Sequence, residues 1–226
     1  MVVPSSAAAR AFIAAGGRAE LVQIVANGLD MTSGPPLARI ALGLPVGKLF
    51  GVFSRLAPWK GQHVELEALA QMPDAAYVIV GSALFGEDAY EARLCAQAAD
   101  PALAGRVHFL GQRSDVGVLM QAVDAVVHPS IHPEPFGRTL VEAMRMGRPV
   151  IATDAGASAE ILEEGRAGTL VPPGDAPALA AALRHAFQQP DPAQLIYAEA
   201  RARTVYGAAA MQAALAAIIQ QAAQSA

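Results

Sequence analysis

Short apolar runs rich in β-branched residues alternate with helix-patterned stretches from one end of the chain to the other. Strands are predicted at 21–26, 49–54, 76–81, 107–110, 125–128, 150–153 and 168–171, and most are apolar at nearly every position. Continuously apolar strands are covered on both faces, the condition of a parallel sheet between two helical layers. Helices are predicted at about 5–16, 61–72, 87–99, 115–122, 137–147, 157–164 and 175–188. The expected fold class is α/β: a Rossmann-like parallel sheet with helices on both faces. Its crossovers should be right-handed and its ligand should sit at the carboxyl ends of the strands.

Two regions break the rhythm. The cluster Met31-Thr32-Ser33-Gly34-Pro35-Pro36 opens a linker, 31–47. It separates residues 1–30, with one helix and one strand, from a main unit at 48–190. Beyond Pro190 the strands stop, and two helices are expected near 191–204 and 208–222. In the second, Met211, Leu215, Ile218 and Ile219 form one apolar stripe. It lacks the basic face of a membrane-surface helix, so it reads as packing on a domain.

Composition removes several function classes. Of 226 residues, 54% are hydrophobic and 16% charged, which excludes a disordered chain. A net charge of −4 with no basic stripe argues against a nucleic-acid binder. Cys95, the single cysteine, can form no internal disulfide and fits a reducing cytoplasm. The opening Met1-Val2-Val3-Pro4-Ser5 has neither the basic region nor the apolar core of a secretory signal. A soluble cytoplasmic protein is expected.

The familiar nucleotide signatures are missing. Gly47-Lys48 lacks the upstream glycine of a P-loop, and Gly81-Ser82-Ala83 lacks the second glycine of a dinucleotide-binding turn. No tight cluster of metal-ligating residues occurs. Instead, Arg55 and Lys60 stand in one loop just past a strand, Ser54-Arg55-Leu56-Ala57-Pro58-Trp59-Lys60-Gly61. A guanidinium fork beside a flexible ammonium suits a diphosphate, although two solvated loop cations would look the same. A second segment runs Pro129-Ser130-Ile131-His132-Pro133-Glu134-Pro135-Phe136-Gly137-Arg138-Thr139-Leu140-Val141-Glu142. Its prolines predict an extended loop, and Gly137 opens a helix whose free amides form a natural phosphate site. Along a helix, Glu134 and Glu142 would be about 12 Å apart. That is too far for a paired-carboxylate hydrolase and suits two acceptors gripping different hydroxyls of one long ligand. Plainer roles for the pair are a helix-dipole carboxylate for Glu134 and ion pairs to Arg138 or Arg145 for Glu142. His128 and His132 border the site without a visible charge-relay partner and read as structural or sugar contacts.

Taken in order, these residues resemble the family 4 retaining glycosyltransferases of the GT-B fold. The resemblance rests on Arg55…Lys60-Gly61, Glu134-x7-Glu142 and the phrase Glu142-Ala143-Met144…Gly147-Arg148-Pro149-Val150-Ile151-Ala152-Thr153. Asn27-Gly28-Leu29-Asp30, Val107-His108-Phe109-Leu110-Gly111, Ala122-Val123-Asp124-Ala125 and Val171-Pro172-Pro173-Gly174-Asp175 support it, over about residues 20–188. It implies two Rossmann-like domains, the C-terminal one binding a nucleotide sugar such as a UDP- or GDP-sugar. By matched position, Arg55 and Lys60 would hold the diphosphate, Glu134 the sugar hydroxyls and Glu142 the ribose hydroxyls. The amides of Phe136, Gly137, Arg138 and Thr139 would meet sugar or phosphate. Phe109 and Leu110 would edge the base, and Gly81 would join the same binding set. The anomeric configuration would be retained, with no metal or other cofactor.

Departures from the pattern are Ser54, Ala83 and Ala157 at positions usually held by glycine, whose added atoms should narrow the loops. The chain also begins near what looks like the last strand and helix of an N-terminal acceptor domain. Residues 1–30 would be its remnant, and residues 191–226 would pack back toward that domain or drive self-association. The acceptor stays open among polysaccharide, lipid-linked saccharide and small metabolite, and a lipid acceptor would place the full protein at the inner membrane. Rival readings are a sugar-nucleotide epimerase and a non-catalytic nucleotide-sugar-binding module. A phosphorylase would need a pyridoxal lysine, and no lysine follows Lys60.

Overall fold

The computed structural model describes residues 1–30 and 34–224. Strand β1 (Val2–Val3) and strand β2 (Gln23–Ile24) pair in parallel, with helix α1 (Ser6–Ala14) between them in sequence. Their two-stranded sheet is separate from the main one. The predicted breaker cluster falls partly on residues 31–33, outside the described residues. Just beyond it, a single 3-10 turn (Arg39–Leu42) is tied to the main unit. The Arg39 guanidinium donates to the Ala122 carbonyl and pairs with Asp124.

The main sheet has six strands: β3 (Lys48–Phe53), β4 (Ala75–Val80), β5 (Val107–Gly111), β6 (Ala125–His128), β7 (Val150–Thr153) and β8 (Thr169–Val171). All neighbours run parallel, in the spatial order β5-β4-β3-β6-β7-β8. The chain moves outward from β3 to β5, then returns to the far side of β3 to lay down β6. Between β3 and β6 the direction of winding reverses, so the loops after these strands part and leave a crevice. This doubly wound sheet is the α/β architecture expected from the sequence.

Alternate residues of each strand feed two cores, as the pleat requires. Leu49, Phe53, Val78, Val80, Val126 and Ala152 face one layer, made by α4 (Val116–Ala122), α5 (Arg138–Arg145) and α6 (Ser158–Ile161). Phe50, Val52, Tyr77, Ile79, Val127 and Ile151 face the other, made by α2 (Gln62–Ala70), α3 (Asp88–Ala98) and α7 (Ala176–Gln188). Helix starts are written in the sequence. The Asp175 carboxylate accepts from the Ala178 amide ahead of α7, and the Asp191 carboxylate caps α8 (Pro192–Thr204), whose first residue is proline.

Helix α8 returns to the sheet and buries Ala198 and Ala202 in the same core as Leu140 and Met144 of α5. The chain turns at Tyr206-Gly207 into α9 (Ala208–Gln224). No residue of α9 is buried, and Ile219 keeps 68% of its surface exposed. By length and composition the stretch Pro192–Gln224 is apolar enough to cross a bilayer, at mean hydropathy 1.3. Its first half is nevertheless seated on α5.

Candidate active site at the reversal point of the sheet

The two loops singled out by sequence are the ones that diverge at the reversal point: 54–61 follows β3, and 129–137 follows β6. They are locked together. Gly61 sits at φ +75°, and a Cβ there would lie 2.1 Å from the Pro129 carbonyl oxygen. The Ile131 amide donates to the Trp59 carbonyl at 2.9 Å. Below them, the fully buried Gln62 donates to the Ser54 hydroxyl and the Arg55 carbonyl, both at 3.0 Å, and accepts from the Tyr90 hydroxyl at 3.1 Å. The second loop is pinned by Thr153, whose hydroxyl donates to the Ser130 carbonyl at 2.6 Å.

Both predicted cations lie over one indole ring. The Arg55 guanidinium is 5.2 Å from the Trp59 ring centre and the Lys60 ammonium 4.4 Å. The ring face attracts each cation and offsets part of the repulsion between them. Phe85, from the loop after β4, stacks over the same guanidinium at 5.3 Å. Phe85 is 87% exposed and holds a left-handed φ of +61°, an uncommon strain for an aromatic residue. Trp59 thus packs against the cation loop.

Glu134 is the most constrained side chain of the site. Its Oε1 accepts from the Lys60 ammonium and the Ser130 hydroxyl. His128 Nε2 lies 3.0 Å from the same oxygen, at ion-pair distance but off the line of a well-formed hydrogen bond. The backbone of Glu134 bridges to Gly156, and its carbonyl accepts the Ala157 amide at 3.0 Å. Burial alone would raise the Glu134 carboxyl, but His128 and Lys60 outweigh it and hold the group far below the ordinary carboxylate range. The expectation that His128 has no charged partner is corrected here. The extended Pro133–Pro135 segment turns Glu134 back onto the end of β6, a return that sequence spacing does not reveal.

The remaining predicted residues fall into two groups. Gly137, at φ +89°, opens α5 beside His128, and the amides of Arg138 and Thr139 begin the helix, where the helical pattern supplies no acceptor. The side chains here serve the fold. Phe136 packs edge-on against Tyr206, and the Thr139 hydroxyl donates to the Phe53 carbonyl at 2.9 Å. The second group lines a groove of about 200 Å³ that holds Glu142 and Gly81 together with Ser54, Gln112 and Arg113. Glu142 also pairs with Arg138 at 3.3 Å. Phe109 and Leu110 lie on β5 with their side chains in the two cores, and Gln112 and Arg113 form the groove rim beyond them. The helix begins only at Arg138, so the helical spacing assumed between the two glutamates does not apply.

Two departures from the family pattern do less than expected. The Ser54 hydroxyl bonds Gln62 although the residue lines the groove, and Ala157 is fully buried in the core and adds no bulk to the crevice. Sequence reasoning missed Gln62, Phe85 and Ser130. It also missed Ser5, whose hydroxyl caps α1 and donates to the Pro135 carbonyl at 2.5 Å. A larger hollow of about 490 Å³ opens at the opposite, amino-terminal edge of the sheet, between Lys48, Asp124, Arg148 and Phe187.

With this geometry in place, the family model for glycosyl transferases group 1 matches residues 42–204. The chain belongs to that family. A phosphatidyl-myo-inositol mannosyltransferase of Mycobacterium leprae is 38% identical over 170 residues, covering 70% of this chain and 42% of the relative. The lipopolysaccharide core biosynthesis mannosyltransferase LpsB of Rhizobium meliloti is 33% identical over 152 residues, covering 63% and 43%. The crystal structure of Anabaena Alr3699/HepE in complex with UDP-glucose is 39% identical and superposes with a TM-score of 0.92, over 97% of this chain and 63% of that one. The chain spans less than two thirds of the length of each of these proteins. Its parallel sheet with flanking helices is the architecture of GT-B glycosyltransferase structures.

Proposed function

We propose that the crevice holds a nucleotide-diphosphate sugar and that the chain supplies this site for sugar transfer of the family 4, configuration-retaining type. The observation that carries the reading is the convergence of Arg55 and Lys60, the N-terminus of α5 and the ionised Glu134 at one reversal point of the sheet. Arg55 and Lys60 neutralise the diphosphate, whose charge grows as its bond to the sugar breaks. Fixed cations and helix amides stabilise that developing charge without reorganising. Glu134 accepts hydrogen bonds from sugar hydroxyls, and Glu142, across the groove, accepts them from the ribose.

UDP-glucose is the first donor to test, because the Anabaena relative at 39% identity is described in complex with it. The relatives named for phosphatidyl-myo-inositol and for lipopolysaccharide core support a lipid-linked or saccharide acceptor. A cytoplasmic setting and transfer without a metal ion complete the proposal. The exposed apolar face of α9 is then where the rest of a full-length glycosyltransferase, or a second copy, would pack.

Calorimetric titration of the chain with UDP, GDP and ADP and their sugar conjugates, with and without EDTA, tests this reading. Binding of one nucleotide family, insensitive to EDTA and lost in both Lys60→Ala and Glu142→Ala, is the expected result. Nucleotide binding unaffected by either substitution would defeat it.

A further inference from the structure

Glu134 Oε1 gathers three partners of different kinds. Lys60 reaches it on a long, rotatable arm from the loop after β3. Ser130 reaches it from its own loop. His128 reaches it from the end of β6, on a short side chain that is 3% exposed. Among the described residues, Lys60 and His128 are the charged or titratable groups that act on this carboxylate.

The proposed function makes two demands on Lys60. It neutralises Glu134 in the structure, and in the donor-site reading it also neutralises a diphosphate. One ammonium cannot do both at full strength, and Lys60, over the Trp59 ring beside Arg55, already stands on the cation side of the crevice. When it turns to the diphosphate, Glu134 is left as a buried carboxylate. With only the neutral Ser130 hydroxyl left on Oε1, such a group needs a further partner, or burial drives it to take up a proton. A protonated Glu134 would lose its value as an acceptor for sugar hydroxyls. His128 cannot follow Lys60, and its Nε2 is a buried polar atom with no aligned hydrogen bond, 3.0 Å from this oxygen.

We propose that His128 is a positioning residue that keeps the Glu134 carboxylate charged and oriented when Lys60 leaves it for the diphosphate of the sugar donor. The inference rests on the donor-site reading. His128 touches neither the diphosphate nor the sugar; it acts through Glu134 alone.

Two measurements on the full 226-residue chain test it. The first needs no nucleotide. Lys60→Met imitates the departure of the ammonium, and the side-chain carboxyl NMR signal of Glu134 is followed as pH is lowered. The signal should still titrate below the ordinary value of 4.5 in Lys60→Met, and above it in Lys60→Met/His128→Phe. Titration above the ordinary value in Lys60→Met alone overturns the proposal, and so does titration below it in the double variant. The second measurement compares UDP with UDP-glucose by calorimetry. His128→Phe should weaken UDP-glucose roughly tenfold to hundredfold, the cost of leaving a buried charged group short of a partner. UDP, which carries no sugar, should change by less than about threefold, and the UDP-glucose loss should vanish in a Glu134→Gln background.

Equal loss of both ligands, or loss of neither, overturns the assignment of His128. Should His128→Phe fail to show a cooperative melt, His128→Gln replaces it, with an intermediate loss expected because the amide restores a donor but no charge. Failure of the unsubstituted chain to bind either nucleotide, with the NMR pattern intact, overturns the donor-site reading and the Lys60 departure with it.

Discussion

Replacing Gln62 by leucine removes the polar link beneath the cation loop while keeping most of the side-chain volume. Three hydrogen bonds disappear: to the Ser54 hydroxyl, to the Arg55 carbonyl and from the Tyr90 hydroxyl. At about 1 kcal/mol net for each bond, the expected loss is about 3 kcal/mol. That is a large part of a total stability of about 5–15 kcal/mol. For a chain of this size it should lower Tm by about 6–12 °C, at about 2–4 °C per kcal/mol. Gln97→Leu is the control, since it removes a single bond, to the His63 carbonyl at 3.2 Å, and should cost about 1 kcal/mol. Urea unfolding at constant m-value measures both. Tyr90→Phe combined with Gln62→Leu should cost less than the two single changes added, because they share one bond. A Gln62→Leu loss below about 1 kcal/mol would refute the reasoning, since the three bonds would then be worth no more than one.

Burial pushes the Glu65 carboxyl well above its ordinary value of 4.5, and only its Oε2 has a partner, the Tyr77 hydroxyl. The folded chain therefore keeps a proton that the unfolded chain loses above pH 4.5, so stability falls as pH rises through that window. Glu65→Gln cannot ionise and should gain about 1 kcal/mol or more at neutral pH, with no gain below the ordinary carboxylate value; pH-dependent denaturation reads both. Gly61→Ala meets a left-handed φ and the Pro129 carbonyl at 2.1 Å, so it should cost more than about 2 kcal/mol and weaken nucleotide binding. Gly105→Ala, at φ +73° with nothing within 4 Å, should cost only about 1–2 kcal/mol; equal losses by thermal melt would show that the clash is relieved. Glu142→Ala should leave stability within about 0.5 kcal/mol, because its ion pair with Arg138 is a surface i,i+4 contact. The same change should weaken nucleotide binding about tenfold by calorimetry, and an unchanged affinity would remove Glu142 from the site.

The alternation of apolar runs and helical patterns located every strand of the main sheet, because the polar residues of these strands are few and most stand at strand ends. Strand β1 was legible only through the family resemblance, since two residues carry no period. Arg55, Lys60, Glu134 and Glu142 were visible as unusual charges and prolines at strand ends. What stayed hidden depends on chain return. Gln62 and Glu65 look like surface positions of a helix start, and only the packing of α2 on the sheet shows that both are fully buried. His128 sits six positions from Glu134, and its strand ends at His128, so no continuous element joins them. The Phe85 stack on Arg55 joins loops from neighbouring strands and has no local signature.

Trp59 is the chain's one tryptophan, and it lies directly beneath both cations of the crevice. Indole emission responds to nearby charge, so the protein carries its own optical reporter at the point where an anionic ligand would arrive. No other residue of its kind contributes background. A change in intrinsic fluorescence on adding a nucleotide would report movement of Arg55 or Lys60 over that ring, without a label and in real time. The rate at which Lys60 exchanges one anion for another thus becomes a quantity that stopped-flow mixing can follow.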